Sequence, residues 1–292
     1  MINTSETTGP LIRICGLAKT FGCQTVLDGV NLDVNQGEIM VIMGGSGCGK
    51  STLLRHLIGS MLPDQGHVEL FGKRTCDLNK KQLTETKKKF GILFQSGALI
   101  NSLTVGNNVA LPLREHTALD ESTISIIVKI KLELVGLREH ADKLPAQISG
   151  GMKKRAGLAR AIALDPQILF YDEPSAGLDP VTSAQIDQLI IDLTRKLHVT
   201  SVVVTHEMDS AFTIADRICM LDKGKVLKIG TRREFEDLRD SDINNVTNET
   251  ELLIRQFLRG DADGPITQRI VNSDYEEDLL AVNEDSKLCW CK

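Results

Sequence analysis

Aromatic residues and an excess of positive charge are both missing from this sequence. Phenylalanine, tyrosine and tryptophan make up 4% of the 292 residues, and 34 lysines and arginines stand against 39 aspartates and glutamates, a formal net charge of −5. A surface that binds nucleic acid needs a basic field and, for single strands, aromatic platforms on which bases stack. The composition therefore argues against a nucleic-acid partner.

Long apolar runs are absent as well. No stretch reaches the ~18–20 apolar residues that cross a bilayer, and the first ten residues lack the basic start and apolar core of a signal peptide. We expect a soluble cytoplasmic protein that needs a partner for any work at a membrane. The seven cysteines are odd in number and scattered, unlike a disulfide framework. Cys289-Trp290-Cys291 could hold a metal, but a frayed end is the favoured interpretation.

A phosphate-binding loop is the clearest pattern present. The apolar run 39–43 predicts a buried strand and the leucine-rich stretch 53–58 predicts a helix, with G-x-x-x-x-G-K-[ST] between them. Glycines let the backbone curl so that its N–H groups surround an anion, to which the helix N-terminus adds a partial positive charge. Lys50 can reach the β- and γ-phosphates and the Ser51 hydroxyl can ligate Mg²⁺. The loop predicts a nucleoside triphosphate, bound by Gly44, Gly45, Ser46, Gly47, Cys48, Gly49, Lys50, Ser51 and Thr52.

Polar residues stand at the ends of three further predicted buried strands. Asp172 and Glu173 come after the apolar run 168–171; an aspartate there suits Mg²⁺ coordination, and a glutamate beside it suits a base for the attacking water. Two surface acids at a strand end are the alternative. His206 follows the strand 201–205 and Gln95 ends the strand predicted from Phe90. Taken alone, His206 or Gln95 is only weak evidence of a functional role.

A second helix start follows at Ser149-Gly150-Gly151, where the serine predicts an N-cap for a helix from Met152 to Leu164. It offers a second anion site, although a plain cap is the alternative. Lys153, Lys154 and Arg155 are interpreted as solvated surface. Asp179 is predicted to cap a helix that begins at Pro180.

Strands that alternate with helices predict an open α/β sheet with the nucleotide above its carboxyl edge. Residues 101–147 predict a helical insert, punctuated by Pro112, and 217–230 predict a hairpin. Short strands are predicted at 11–17 and 30–34 around a turn at Thr20-Phe21-Gly22, where Phe21 stacks on adenine or packs in a hairpin. From about residue 241 the sequence is too polar for a second core.

These motifs, in this order and spacing, resemble the ATP-binding subunits of ABC transporters over roughly residues 11–240. The resemblance implies a P-loop NTPase fold with a RecA-like core, an antiparallel β subdomain, a helical subdomain at about 96–160, and a C-terminal extension at 241–292. It assigns Phe21 to adenine stacking, Gln95 to the Q-loop, and His206 to the switch histidine. The remaining motifs are Walker A (Gly44 to Thr52), the signature (Ser149, Gly150, Gly151, Met152), Walker B (Asp172, Glu173) and the D-loop (Asp179).

The family resemblance also implies a mechanism. ATP lies between Walker A of one subunit and the Ser149 helix of the other in a head-to-tail homodimer, with Mg²⁺ at Ser51, Gln95 and Asp172, partly through water. Hydrolysis at Glu173, assisted by His206, Gln95 and Lys50, reopens the dimer, and the motion passes to a multi-span membrane permease. The expected location is the cytoplasmic face of the inner membrane.

A closer resemblance is to the Mla-type ATPases of phospholipid transport between the inner and outer membranes. It rests on the segments 111–117, 149–152, 161–166, 255–258 and 262–265. That family implies a small cytoplasmic STAS-type partner, an MCE-type substrate-binding membrane protein, and a C-terminal extension that stabilises the dimer, anchored here at Tyr275, Leu279 and Leu280. Ile148 and Met152 depart from the general signature, and the terminal Cys-Trp-Cys-Lys matches no motif of the family.

Other classes remain to be weighed. DNA-repair and chromosome-structuring ATPases share these motifs but insert long coiled coils between them, and here Lys50 and Ser149 are only 99 positions apart (149 − 50). An ABC system with another substrate, or a regulatory ABC ATPase without a transport role, stays open.

Overall fold

The computed structural model describes residues 9–242, 246 and 248–267. The chain divides into two units, residues 1–235 and 236–292. The predicted tail anchors Tyr275, Leu279 and Leu280, and the Cys289-Trp290-Cys291 motif, lie outside the described residues.

The first unit contains two sheets. One is antiparallel, in the order β2-β1-β4-β5, and the other has six strands in the order β10-β9-β3-β8-β7-β6. The strands are β1 Ile12–Phe21, β2 Gln24–Val34, β3 Ile39–Gly44, β4 Gln65–Leu70, β5 Lys73–Arg74, β6 Phe90–Leu93, β7 Ile168–Asp172, β8 Thr200–Thr205, β9 Arg217–Asp222 and β10 Lys225–Thr231.

Helices of the first unit pack against the six-stranded sheet and form the insert. The α-helices in the part of the chain that the structure describes are α1 Lys50–Leu57, α2 Lys80–Lys87, α3 Val105–His116, α4 Glu121–Leu134, α5 Gly150–Ala161, α6 Pro180–Leu197, α7 Met208–Ile214, α8 Arg232–Asp240 and α9 Glu249–Arg259. None of these helices combines the length and apolarity that a membrane crossing requires.

The six-stranded sheet follows the predicted pattern. Every residue of β3 and β8 is buried. The strands β3, β8, β7 and β6 pair in parallel, and apolar residues of the antiparallel sheet and of α1 form one core with Met40, Ile42, Val202 and Val204. The parallel pairing brings the carboxyl ends of these four strands to one edge. Met43 lies beside Thr205, and Asp172 beside Val204. The predicted open α/β sheet is confirmed.

The predicted bounds of the two N-terminal strands were wrong. The strands predicted at 11–17 and 30–34 are longer, and Phe21 is the last residue of β1, paired with Gln24 across the turn. Irregular pairing interrupts the alternation of β1, which is why the pattern alone understated its length. Pro112, which punctuates the predicted insert, lies inside α3.

The second unit contains α9, which begins at the N-cap Asn248 and ends at Gly260. Leu253, Ile254 and Leu258 of α9 are buried. The Gln256 side chain is buried as well; its Oε1 accepts from the Ile266 N–H at 2.7 Å and its Nε2 donates to Asp261 O and Thr267 Oγ1. This amide therefore joins α9 to the segment that follows it.

Candidate nucleotide site

The phosphate loop connects β3 to α1 and depends on two glycines with left-handed φ angles. At Gly44 (φ 154°) an added Cβ would lie 2.2 Å from the carbonyl oxygen of Leu221, and at Gly49 (φ 107°) it would lie 2.8 Å from that of Val26. Gly49 is the N-cap of α1, and its carbonyl accepts the first helical hydrogen bond from Leu53 N–H at 2.9 Å. A side chain at either position would push the loop off its support, so the anion cradle requires glycine.

Lys50 points into this loop. Its ammonium is largely buried and donates to the carbonyl oxygens of Gly44 at 2.7 Å and Gly45 at 2.8 Å. The loop therefore holds a fixed positive charge at its centre, close to the N-terminus of α1. Both features favour a polyphosphate.

Asp172 and Glu173 stand at the carboxyl end of β7. Burial raises the pKa of Asp172, and the neighbouring Glu173 raises it further, whereas Arg55 and Lys50 act in the opposite direction. A half-buried carboxylate with a raised pKa is one that a divalent cation would stabilise. The Asp172 carboxylate, the Ser51 hydroxyl and the Gln95 amide offer oxygen donors, the ligand set that Mg²⁺ prefers.

Glu173 is held by His206. Its Oε1 accepts from His206 Nδ1 at 2.9 Å and its Oε2 from the His206 backbone N–H at 3.4 Å. Because a carboxylate only accepts, the imidazole carries its proton on Nδ1 in this contact. The Glu173 side chain is 13% exposed and that of His206 is 57% exposed. The carboxylate is therefore enclosed but still reachable from the edge of the sheet.

The backbone at Glu173 is strained. Its φ is +49°, the left-handed region that a residue other than glycine rarely occupies. The Glu173 N–H donates to Val204 O at 2.9 Å. Such a conformation persists only where the surrounding structure enforces it, and it is often found at active sites.

The second helix start has the predicted cap. Ser149 is the N-cap of α5, and its hydroxyl accepts from Met152 N–H at 3.3 Å. Ser149 and Gly150 are exposed, and the hydrogen bonds of Ser149 to Met152 N–H and Lys153 N–H lie within its own helix start. Its outer face can therefore receive an anion carried by another molecule.

Asp179 and Gln95 occupy loops at the same edge. The Asp179 carboxylate accepts from the N–H groups of Val181 and Thr182, which confirms the predicted cap of α6. Hydrogen bonds from Thr182 also lower the pKa of Asp179. Gln95 is exposed and follows the last residue of β6 by two positions, so it lies on a loop rather than on the predicted strand.

The interpretation of Lys154 as solvated surface was wrong. Its side chain is buried within the first unit, and its ammonium donates to the carbonyl oxygens of Glu173 and Ala176. Arg160, further along α5, donates to the carbonyl oxygens of Gly97 and Ala98. The sequence contained one indication that Lys154 is buried. Lys154 lies three residues after Gly151 and four before Leu158, which are both buried, so the three residues share one face of the helix.

Phe21 ends β1 with its ring 45% exposed, and the Lys19 ammonium lies 5.6 Å from the ring centroid. Lys19 is itself fixed by Asp64 at 2.7 Å. An exposed ring steadied by a cation is a suitable platform for a purine.

We expect Phe21→Ala to raise the KM for ATP at least about fivefold with kcat within about twofold, because stacking on a base contributes about 1–3 kcal/mol of binding that ground state and transition state share. Phe21→Tyr keeps the platform and serves as the control. Steady-state ATPase kinetics measure both constants, and an unchanged KM in Phe21→Ala would exclude the stacking role.

Comparison with known proteins identifies the family. The family model described as "ABC transporter" matches residues 27–176, just over half of the chain. The chain belongs to the ABC transporter ATP-binding family. As a member of this family it is an ATPase.

Individual relatives agree. The chain is 41% identical over 270 residues to the "Intermembrane phospholipid transport system ATP-binding protein MlaF" of Haemophilus influenzae, an alignment that covers 92% of this chain and 98% of that protein. It is 44% identical over 258 residues to the "Probable ribonucleotide transport ATP-binding protein mkl" of Mycobacterium leprae, covering 88% of this chain and 71% of that protein.

A solved structure shows the same fold. It is the ATP-binding cassette MJ0796, in a dimeric post-hydrolysis state bound to ADP and Pi. The two chains superpose with a TM-score of 0.70 at 33% identity, covering 76% of this chain and 99% of that one. The expectation of an ABC ATPase fold is confirmed.

Proposed function

We propose that this chain is the ATP-hydrolysing subunit of an ABC transporter that moves phospholipids between the inner and outer membranes and so maintains the lipid asymmetry of the outer membrane. The observation that carries the proposal is the extent of the match to MlaF, which spans 98% of that protein. The Mkl relatives, at slightly higher identity, are longer, so that the alignment leaves about a third of them unmatched. Similarity along nearly the whole of MlaF favours the phospholipid system over ribonucleotide transport.

The exposed α5 start supports a head-to-tail homodimer. Ser149 and Gly150 face outward, whereas the phosphate loop lies at the carboxyl edge of the sheet, so the chain carries two anion-binding helix starts. In the dimer, Walker A of one subunit and the signature residues Ser149, Gly150, Gly151 and Met152 of its partner enclose one ATP. The D-loop Asp179, which caps α6, faces the partner subunit.

Each catalytic side chain has a distinct part in hydrolysis. Lys50 binds the β- and γ-phosphates, and the Glu173 carboxylate orients a water and takes its proton as it attacks the γ-phosphate. His206 holds that carboxylate through Nδ1. Ser51, Asp172 and Gln95 would hold Mg²⁺, which supplies charge neutralisation at the phosphates when it is bound.

A groove within the first unit suits the permease. It has a volume of about 490 Å³ and lies beside the Gln95 loop, between β6 and the helical insert. Its walls combine apolar and basic side chains, among them Ile58, Lys87, Phe90, Phe94, Pro112 and His116. A partly apolar groove of this size accepts a short helix from a membrane partner. The chain would thereby be held peripherally at the cytoplasmic face of the inner membrane.

Two further partners belong to the proposal through the Mla-type resemblance. They are a small STAS-type protein in the cytoplasm and an MCE-type substrate-binding protein in the membrane. The exposed isoleucines Ile126 and Ile130 lie one turn apart on α4 and are an apolar surface that a small partner would cover. The C-terminal extension is assigned to dimer stabilisation.

The test is recovery of the chain from membranes in mild detergent, with mass spectrometry of the bound proteins and lipids. One multi-span permease with phospholipid supports the proposal. Recovery of a permease of another kind would support a transport ATPase but not phospholipid as its substrate. Recovery of no membrane partner would favour a regulatory ABC ATPase.

Within the same experiment, Phe94→Glu is expected to reduce permease recovery about tenfold, since it removes the apolar ring from the contact and requires a carboxylate to be desolvated there, which together cost more than the ~1.4 kcal/mol that this ratio represents. Phe94 is 40% exposed and lines the groove. Leu119→Glu is the matched control, because Leu119 is 41% exposed and does not line it. Equal recovery of the two variants would exclude the groove as the docking site.

A further inference from the structure

A buried lysine links the start of α5 to the loop that carries Glu173. Lys154 is 5% exposed although it is the fifth residue of α5 and lies in a run of three basic residues. Its ammonium lies 2.7 Å from Ala176 O and 3.2 Å from Glu173 O. Both acceptors belong to the segment between β7 and α6.

Burying an ammonium is costly unless it is paired. Burial lowers the pKa of Lys154, and the carboxylates of Glu207 and Glu173 raise it in opposition. The phosphate chemistry described above does not use this charge. A buried cation aimed at two backbone carbonyls is therefore a feature that the mechanism leaves unexplained.

Glu173, whose carbonyl oxygen accepts a hydrogen bond from Lys154, is also the residue with the strained backbone. Its N–H donates to Val204 O on β8, and its C=O accepts from Lys154 and, at 3.4 Å, from Ala176 N–H. The peptide groups on both sides of the φ +49° position are thus fixed. Removing one of these restraints allows the backbone to relax toward φ < 0, which would redirect the carboxylate.

We infer that Lys154 is a positioning residue, which holds the backbone of Glu173 so that its carboxylate reaches the attacking water. The inference rests on the proposed role of Glu173 in hydrolysis and adds a residue to it. Lys154 stands two positions after Met152 on the same rigid helix. Because Lys154 moves with the start of α5, the orientation of Glu173 depends on the position of the signature residues Ser149 to Met152.

The first test is steady-state ATPase kinetics of the full chain. Lys154→Met keeps the apolar stem and removes the donors, and we expect kcat to fall about 10- to 100-fold, because a displacement of about 1 Å at a reacting group has effects of this size. The KM for ATP should stay within about twofold, since Lys154 does not touch the nucleotide. Lys154→Gln, whose shorter side chain retains N–H donors, should lose less kcat than Lys154→Met.

Lys131→Met is the matched control. Lys131, on α4, is also a buried lysine, 6% exposed, and its ammonium binds Asp165. Its loss should lower the melting temperature while leaving kcat within about twofold. Lys154→Met with a kcat equal to that of Lys131→Met would overturn the inference.

A double-mutant cycle separates positioning from a general structural effect. In the Glu173→Gln background there is no carboxylate to position, so adding Lys154→Met should not lower the residual rate further. A loss of equal size in both backgrounds would overturn the inference, because Lys154 would then act independently of Glu173. Failure of the proposed function would look different: the unsubstituted chain would not hydrolyse ATP or would recover no permease.

Discussion

Replacing Glu173 with glutamine is expected to slow turnover strongly and to trap the chain as an ATP-bound dimer. Glutamine keeps the shape of the side chain but cannot take a proton from water, so kcat should fall about a hundredfold or more, the usual contribution of a positioned general base. Lys50 and the phosphate loop are untouched, so ATP still binds. With hydrolysis blocked, the closed dimer accumulates.

Size-exclusion chromatography with light scattering measures this outcome. The 32.1 kDa chain should elute with about twice that mass in ATP and Mg²⁺, and should return to its starting mass when ATP is omitted. Asp209→Asn is the control, because Asp209 is an exposed carboxylate on the first turn of α7, close in the chain to His206. It should turn over at the unsubstituted rate. Turnover of Glu173→Gln at that rate would exclude Glu173 as the base.

The contact between Glu173 and His206 is set by the order of the strands in the sheet. Glu173 directly follows β7 and His206 directly follows β8, and these two strands are neighbours in the parallel sheet. The pairing of the two strands places the imidazole against the carboxylate at 2.9 Å. The strand ends could be predicted from the sequence because each follows a short apolar run, but their adjacency required the strand order.

Local features were the ones that could be predicted from the sequence. The loop at Gly44 to Thr52 and the caps at Ser149 and Asp179 depend on interactions within a few residues, and such interactions leave a short pattern. The fold class followed from alternating apolar runs in the same way. The assignment of catalytic and nucleotide-binding roles to these residues stays a prediction, which the variants proposed above test.

Features that depend on distant contacts could not be predicted. The burial of Lys154 follows from carbonyl oxygens about twenty positions later in the chain, and a run of three basic residues otherwise indicates a solvated face. The left-handed conformation of Glu173 could not be predicted from the residue type either, since glutamate seldom adopts it. Both arise from how α5 packs against the loop after β7.

The close approach of α5 to β6 leads to the second large effect, a loss of stability in Gly91→Ala. A Cβ at Gly91 would lie 2.1 Å from the carbonyl oxygen of Ala161 and 2.9 Å from Leu169 Cδ2. The nearer atom belongs to the helix backbone, which cannot move aside as a side-chain end can. We expect α5 to be displaced and the free energy of unfolding to fall by about 2–3 kcal/mol, the usual cost of overpacking.

Gly150→Ala makes the same chemical change where there is room. The nearest atom to a Cβ at Gly150 is Leu178 Cδ2 at 3.8 Å, an ordinary contact, and alanine is the better helix former. Thermal unfolding without nucleotide should therefore show a melting temperature roughly 5 °C lower for Gly91→Ala and no decrease for Gly150→Ala. Equal melting temperatures would mean that α5 does not rest directly on β6.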